Sequence, residues 1–205
     1  MNKTDLKRIE FGELQIGGTA QTNLNECCHT NWASSGPKVK EFEKGWGELF
    51  GYQYNKAVSS GTDAVMNLVM SLYDYGAQRG DEVIVPALSF IATSNAVLHA
   101  GFVPKFVDIE KHTLNIDHHK IEDAIGPTTR AILVVHTMGH VCDMDAINAI
   151  ARSHDLIVLE DACEAHGAKY KDRFVGATSH GAAFSFYVAH LICSGEGGMV
   201  STNCS

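Results

Sequence analysis

The sequence predicts an α/β protein with a mostly parallel sheet covered by helices on both faces. Two observations carry that expectation. Short apolar runs rich in β-branched residues recur at residues 82–86, 102–108, 130–136 and 156–159. Those at 83–86, 131–135 and 156–159 are continuously apolar, as strands buried on both faces are. Between them the apolar residues fall at helical spacing, and strand–helix alternation builds right-handed crossovers. The composition agrees. With 45% hydrophobic and 20% charged residues among 205, the chain suits one globular domain with a real core.

Taken in order, residues 1–35 read as a polar, irregular arm. Ser34-Ser35-Gly36-Pro37 is a helix start, with Pro near the first turn. Val39, Phe42, Trp46, Leu49 and Phe50 then recur at helical spacing, predicting an amphipathic helix over 37–50. Ser60-Gly61-Thr62-Asp63 opens a second helix that runs toward Gly76. The free N–H groups and positive dipole of a helix start suit a phosphate, although an ordinary Ser/Thr cap has the same local pattern. Strand 82–86 leads through Ala87-Leu88-Ser89-Phe90 into a helix ending at Gly101. Pro104 within 102–108 points to an edge or irregular start. Residues 117–125 read as a helix, 130–136 as a strand, and Asp143 as the cap of the next helix. Strand 156–159 ends in Glu160-Asp161, and residues 181–186 and 198–201 supply two more strands.

Several function classes are excluded by the same reading. A net charge of −8 argues against a nucleic-acid surface. No apolar run approaches membrane-spanning length, and the start carries no apolar signal-peptide core, so a cytoplasmic protein is expected. The six cysteines show no CxxC or paired zinc pattern, so reduced, buried thiols are expected. His136 and His140 have i, i+4 spacing but sit at a strand end, so no metal site is expected.

Four features fall at strand ends or helix starts: Gly61-Thr62, Phe90, Asp161 and His190. In an open α/β sheet such positions gather around one crevice. A phosphate cradle, an aromatic face, a carboxylate and an acid/base fit a planar phosphorylated cofactor. Asp161 can pair with a protonated pyridine nitrogen, Phe90 can stack on the ring, and Ser185 can add a hydroxyl to the phosphate. Each residue alone has a simpler structural explanation; their joint order favours the cofactor.

These residues also carry a family resemblance. The motifs are Ser60-Gly61-Thr62-Asp63-Ala64, Gly80-Asp81-Glu82-Val83-Ile84-Val85-Pro86, and Phe106-Val107-Asp108-Ile109 followed by Thr113-Leu114-Asn115-Ile116-Asp117. To them are added Glu160-Asp161-Ala162-Cys163-Glu164-Ala165-His166-Gly167-Ala168 and Glu196-Gly197-Gly198. From about Ser35 onward the chain resembles the DegT/DnrJ/EryC1/StrS family, the pyridoxal-phosphate-dependent sugar aminotransferases of aspartate aminotransferase-like fold (fold type I). The resemblance implies that Gly61, Thr62, Asp63 and Ser185 hold the cofactor phosphate. It implies Phe90 on the ring, Asp161 at its nitrogen and Glu164 near its hydroxyl. It divides the chain into an arm, 1–35, and a truncated cofactor-binding large domain, 36–205. The small C-terminal domain would be absent, and an apolar face exposed.

Where aminotransferases of the family carry a lysine that bonds the cofactor covalently, this chain has His190. Imidazole cannot form that bond, but its ordinary pKa suits proton transfer near neutrality. The 3-dehydratases of nucleotide-linked 4-keto-6-deoxysugars make the same swap, and the chain resembles that branch around Ala189-His190 and Cys163-Glu164. The resemblance therefore implies pyridoxal or pyridoxamine 5'-phosphate, a nucleotide-sugar substrate, a homodimer and C-3 dehydration. Glutamate regenerates the amine in one subclass. An iron–sulfur cluster serves another; Cys163 falls near one of its ligands, and the others would lie beyond Ser205. Two alternatives stay open: an aminotransferase whose lysine comes from elsewhere, with Lys169 and Lys171 nearby in sequence, and a non-catalytic relative binding cofactor or sugar.

Overall fold

A computed structural model describes Gly12 and residues 14–32 and 34–204. Among these residues, nine strands and six α-helices are formed. The strands are β1 (Tyr54–Val58), β2 (Glu82–Pro86), β3 (Val103–Val107), β4 (Thr129–Val135), β5 (Ile157–Asp161), β6 (Lys169–Tyr170), β7 (Arg173–Phe174), β8 (Gly181–Ser185) and β9 (Gly198–Thr202). The helices are α1 (Gly18–His29), α2 (Pro37–Phe50), α3 (Gly61–Met70), α4 (Ile91–His99), α5 (Ile121–Ala124) and α6 (Met144–Ser153).

The main sheet has seven strands in the order β1-β9-β8-β5-β4-β2-β3. Within it, β9 alone runs against its neighbours: it is antiparallel to both β1 and β8, and the other pairings are parallel. The C-terminal ends of β1, β2, β4, β5 and β8 therefore open on one edge, and β9 starts there, with Val58 and Ser185 both opposite Gly198. This shared edge positions the site. Pro104 lies on β3, the outermost strand, where a missing N–H costs no ladder bond on the open side.

Alternation within the strands divides the core. Val83, Val85, Ala131, Leu133, Leu159 and Ala183 face α3 and α4 on one side. On the other, Ile84, Ile132, Val134 and Val158 face α5 and α6. Ala182, Phe184 and Met199 continue that second face toward α2, whose Trp46 and Phe50 close an aromatic cluster with Tyr52 and Phe186. Burial on both faces explains why β2, β4, β5 and β8 lack in/out alternation.

The structure corrects two elements. Residues 1–35 do not read as wholly irregular, because Gly18–His29 forms a helix. It buries no side chain, which removes the periodic apolar stripe that marks a helix in sequence. The helix expected over 117–125 is a 3-10 turn at His118–Lys120 followed by the one-turn α5. Two features escaped the sequence reading. β1 is half-exposed and polar at its start, and β6 and β7 form a two-residue-per-strand hairpin.

Candidate active site

The first part of the site is the turn from β1 into α3. Ser60 caps α3 by accepting from Asp63 N–H at 3.1 Å, and Ser60 O accepts from Ala64 N–H. That leaves the N–H groups of Gly61 and Thr62 directed at the sheet edge, as at any helix start. Gly61 is required here. A Cβ on it would lie 2.3 Å from Ser185 Cβ and 2.6 Å from Ser185 Oγ, so the helix start is pressed against the end of β8. The close approach brings two N–H groups and the Ser185 hydroxyl together. Asp63 is a different case. Its N–H is spent on Ser60, and its carboxylate accepts from Ser59 Oγ, so it fixes the turn and offers no donor to an anion.

The turn after β2 supplies the second part. Phe90 is the N-cap residue of α4 and stands 76% exposed, free to cover a planar ligand. One turn into α4, buried Thr93 donates to Asp161 Oδ2 at 2.7 Å. Ser89 Oγ lies 2.6 Å from Thr93 Oγ1.

Asp161 ends β5 and is buried. Its Oδ1 accepts from Cys163 N–H at 3.3 Å. No helix follows it directly, so its carboxylate is not a cap. Burial, then the Asp161 charge, pushes the Cys163 thiol up and keeps it protonated. Glu164 is exposed, and its Oε2 accepts from Met138 N–H at 2.7 Å, tying the turns after β5 and β4 together.

His190 sits in the tight turn that follows β8, where its N–H donates to Tyr187 O at 2.9 Å. The Gly-rich loop folds back on this turn, with Phe186 N–H donating to Gly197 O and Tyr187 bridging Gly195. Burial lowers the His190 pKa, and the charges of Glu164 and Asp161 partly offset it, so the imidazole is a neutral base near pH 7. Beside it lies His166, ring centroids 6.2 Å apart, boxed by Trp46, Phe184 and Phe186. Both nitrogens of His166 are buried without a hydrogen-bond partner among the described residues.

Behind the site, His136 Nε2 and Glu160 Oε2 are 2.7 Å apart with both side chains fully buried. The same carboxylate oxygen accepts from Gly176 N–H. Burial works against charge on His136, but the Cys142 side chain and Glu160 outweigh it and raise its pKa to about 10. This pair anchors the ends of β4 and β5. The sequence reading assigned no role to Glu160, Thr93 or His166. Polar residues inside otherwise apolar elements were the available signal. The two lysines near in sequence are engaged elsewhere: Lys169 lies over the Phe174 ring, and Lys171 pairs with Asp145. Among the described residues, no group of three or more His, Cys, Asp and Glu side chains is placed to hold a metal ion. No described helix is long and apolar enough to cross a membrane.

The same sheet edge thus carries Gly61, Thr62, Ser185, Phe90, Asp161, Glu164 and His190 at its strand ends and helix starts. The donor set fits a phosphorylated pyridine: two helix N–H groups and a hydroxyl for the phosphate, and a buried carboxylate for a cationic ring nitrogen.

Comparison with known proteins identifies the family. Residues 15–205 match the DegT/DnrJ/EryC1/StrS aminotransferase family. GDP-perosamine synthase of Caulobacter vibrioides is 42% identical over 201 residues, which is 98% of this chain and 53% of that protein. The spore coat polysaccharide biosynthesis protein SpsC of Bacillus subtilis is 43% identical over 92% of this chain and 48% of its own length. Among solved structures, the GDP-4-keto-6-deoxy-D-mannose-3-dehydratase of E. coli with bound hydrated PLP superposes with a TM-score of 0.88 at 32% identity, over 94% of this chain and 50% of that one. The Helicobacter pylori aminotransferase PseC superposes at 0.90 with 28% identity, over 97% and 53%. The fold is that of the type I pyridoxal-phosphate enzymes. The chain spans about half the length of the relatives it matches.

Proposed function

This chain belongs to the DegT/DnrJ/EryC1/StrS aminotransferase family, and we propose that it holds pyridoxal or pyridoxamine 5'-phosphate at this sheet edge. In this reading the whole protein dehydrates a nucleotide-linked 4-keto-6-deoxysugar at C-3, with His190 as acid/base. The observation that carries the reading is His190, a half-buried neutral imidazole in the turn after β8, beside a carboxylate suited to a pyridine nitrogen.

Each residue has a stated part. Gly61 and Thr62 N–H groups and Ser185 Oγ hold the phosphate, and Asp63 keeps the turn in shape. Phe90 covers one face of the ring and helps exclude water. Asp161 holds the proton on the ring nitrogen, and Glu164 lies toward the ring hydroxyl. When bound, the cofactor supplies an electron sink for carbanion chemistry. A neutral ring nitrogen of His190 accepts and returns a proton without tethering the cofactor. Glutamate serves as amino donor. Leu88, Phe90, Ile91, Met138 and Leu191 are exposed around the same edge, which supports self-association as a homodimer.

The alternative is a sugar aminotransferase, which the family's own description and the aminotransferase PseC of Helicobacter pylori favour. Borohydride separates the two. Pyridoxal phosphate is added to the natural full-length protein, the absorption spectrum recorded, and reduced protein examined by mass spectrometry. Bound cofactor without a protein adduct is the expected result. An adduct on a lysine overturns the dehydratase reading in favour of transamination. Absence of cofactor binding removes the enzyme and leaves a non-catalytic relative.

A further inference from the structure

We propose that Thr93 is a positioning residue for Asp161, and that the hydroxyl chain Ser89–Thr93–Asp161 fixes the carboxylate toward a cationic ring nitrogen. This rests on the reading of Asp161 as partner of that nitrogen. An aspartate's terminal torsion is broad and roughly two-fold, so the side chain does not choose its own plane. External bonds must do so. The Thr93 hydroxyl carries one hydrogen, and an ionised carboxylate can only accept. That hydrogen is therefore spent on Asp161 Oδ2 at 2.7 Å. Ser89 Oγ, 2.6 Å from Thr93 Oγ1, must then donate to Thr93. The chain has one direction, from the exposed Ser89 through the buried Thr93 to the carboxylate.

Cys163 N–H takes one position on Oδ1. Each carboxylate oxygen accepts two bonds, so each retains one free position and the plane is held from both sides. The 2.7 Å contact is a well-formed hydroxyl–oxygen hydrogen bond. Ser89 and Thr93 are four residues apart and bracket Phe90, the N-cap of α4. One β2–α4 junction thus delivers an aromatic face and the carboxylate's orientation together. Among the described residues, the titratable groups that sense Asp161 are Cys163, held as a thiol, and His190 in the turn after β8.

The test compares Thr93→Val, Thr93→Ser, Ser89→Ala and Asp161→Asn in the full-length protein. Two readouts are used: affinity for pyridoxal phosphate by fluorescence titration, and the pH dependence of the bound cofactor's absorption band. Thr93→Val is expected to weaken binding by about tenfold, the equivalent of one charge-assisted hydrogen bond, and to lower the pH at which the band changes. Thr93→Ser restores both. Ser89→Ala, at an exposed position that leaves the core untouched, weakens binding by roughly threefold. If Asp161→Asn disturbs both readouts and Thr93→Val neither, the positioning role is overturned. If Asp161→Asn itself changes neither, the pairing of Asp161 with the ring nitrogen fails, and the role of Thr93 with it. Should Thr93→Val not fold, wild-type affinity and band in Ser89→Ala overturn the chain.

Discussion

His166 is expected to make this protein acid-sensitive, by an amount that the structure sizes. The residue is 8% exposed, and neither ring nitrogen has a partner among the described residues. Burial, then the nearby His190, lowers its pKa from 6.5 to about 4. Unfolded, the same imidazole takes up a proton near pH 6.5. The neutral ring's contribution is therefore complete above about pH 6.5 and is lost as pH falls through about 4. Each tenfold drop in proton affinity on folding is worth about 1.4 kcal/mol, so the loss over that window is on the order of 3 kcal/mol. His166→Phe keeps an aromatic ring in the box of Trp46, Phe184 and Phe186 and removes the titration. Urea unfolding of the full-length protein, followed by tryptophan fluorescence from pH 7.5 to 4.5, gives the comparison. The variant is expected to lose about 2–3 kcal/mol less than wild type over that range, or roughly 1 M urea in midpoint. Its offset at pH 7.5 has no fixed sign, because removing orphaned nitrogens helps and extra volume hurts. Parallel pH profiles for the two proteins would refute the argument.

Other outcomes follow from the same geometry. Gly61→Ala drives a Cβ into Ser185 and is expected to cost about 1–3 kcal/mol and to weaken binding of pyridoxal phosphate. Unchanged stability and affinity would show that the α3 start is not pressed on β8. Glu160→Leu leaves His136 and Gly176 N–H without their carboxylate, and a loss of about 3–5 kcal/mol is expected by urea titration; a loss under about 1 kcal/mol would mean that the buried site neutralises itself. His190→Asn is expected to abolish turnover while keeping cofactor affinity within a few-fold, measured by titration against steady-state rate. Retained turnover would remove His190 from the chemistry.

The sequence by itself determined most of the architecture. Buried parallel strands need continuously apolar residues on both faces, so residues 82–86, 130–136 and 156–159 stood out, and β2, β4 and β5 lie there. Strand ends and helix starts are local signals, so Gly61, Asp161 and His190 could be named before any contact was known. Elements with little burial escaped it: α1 buries nothing, and half-exposed β1 carries no apolar run. Pairing was also beyond it. Nothing local says that Gly61 abuts Ser185, 124 positions on, or that Thr93 meets Asp161, 68 away. Nor could composition tell that His136 pairs with Glu160, or that His166 is boxed without a partner among the described residues. Those facts depend on which strands become neighbours. Periodicity reports the burial of a face, and only the closed tertiary structure decides which polar group meets which across it.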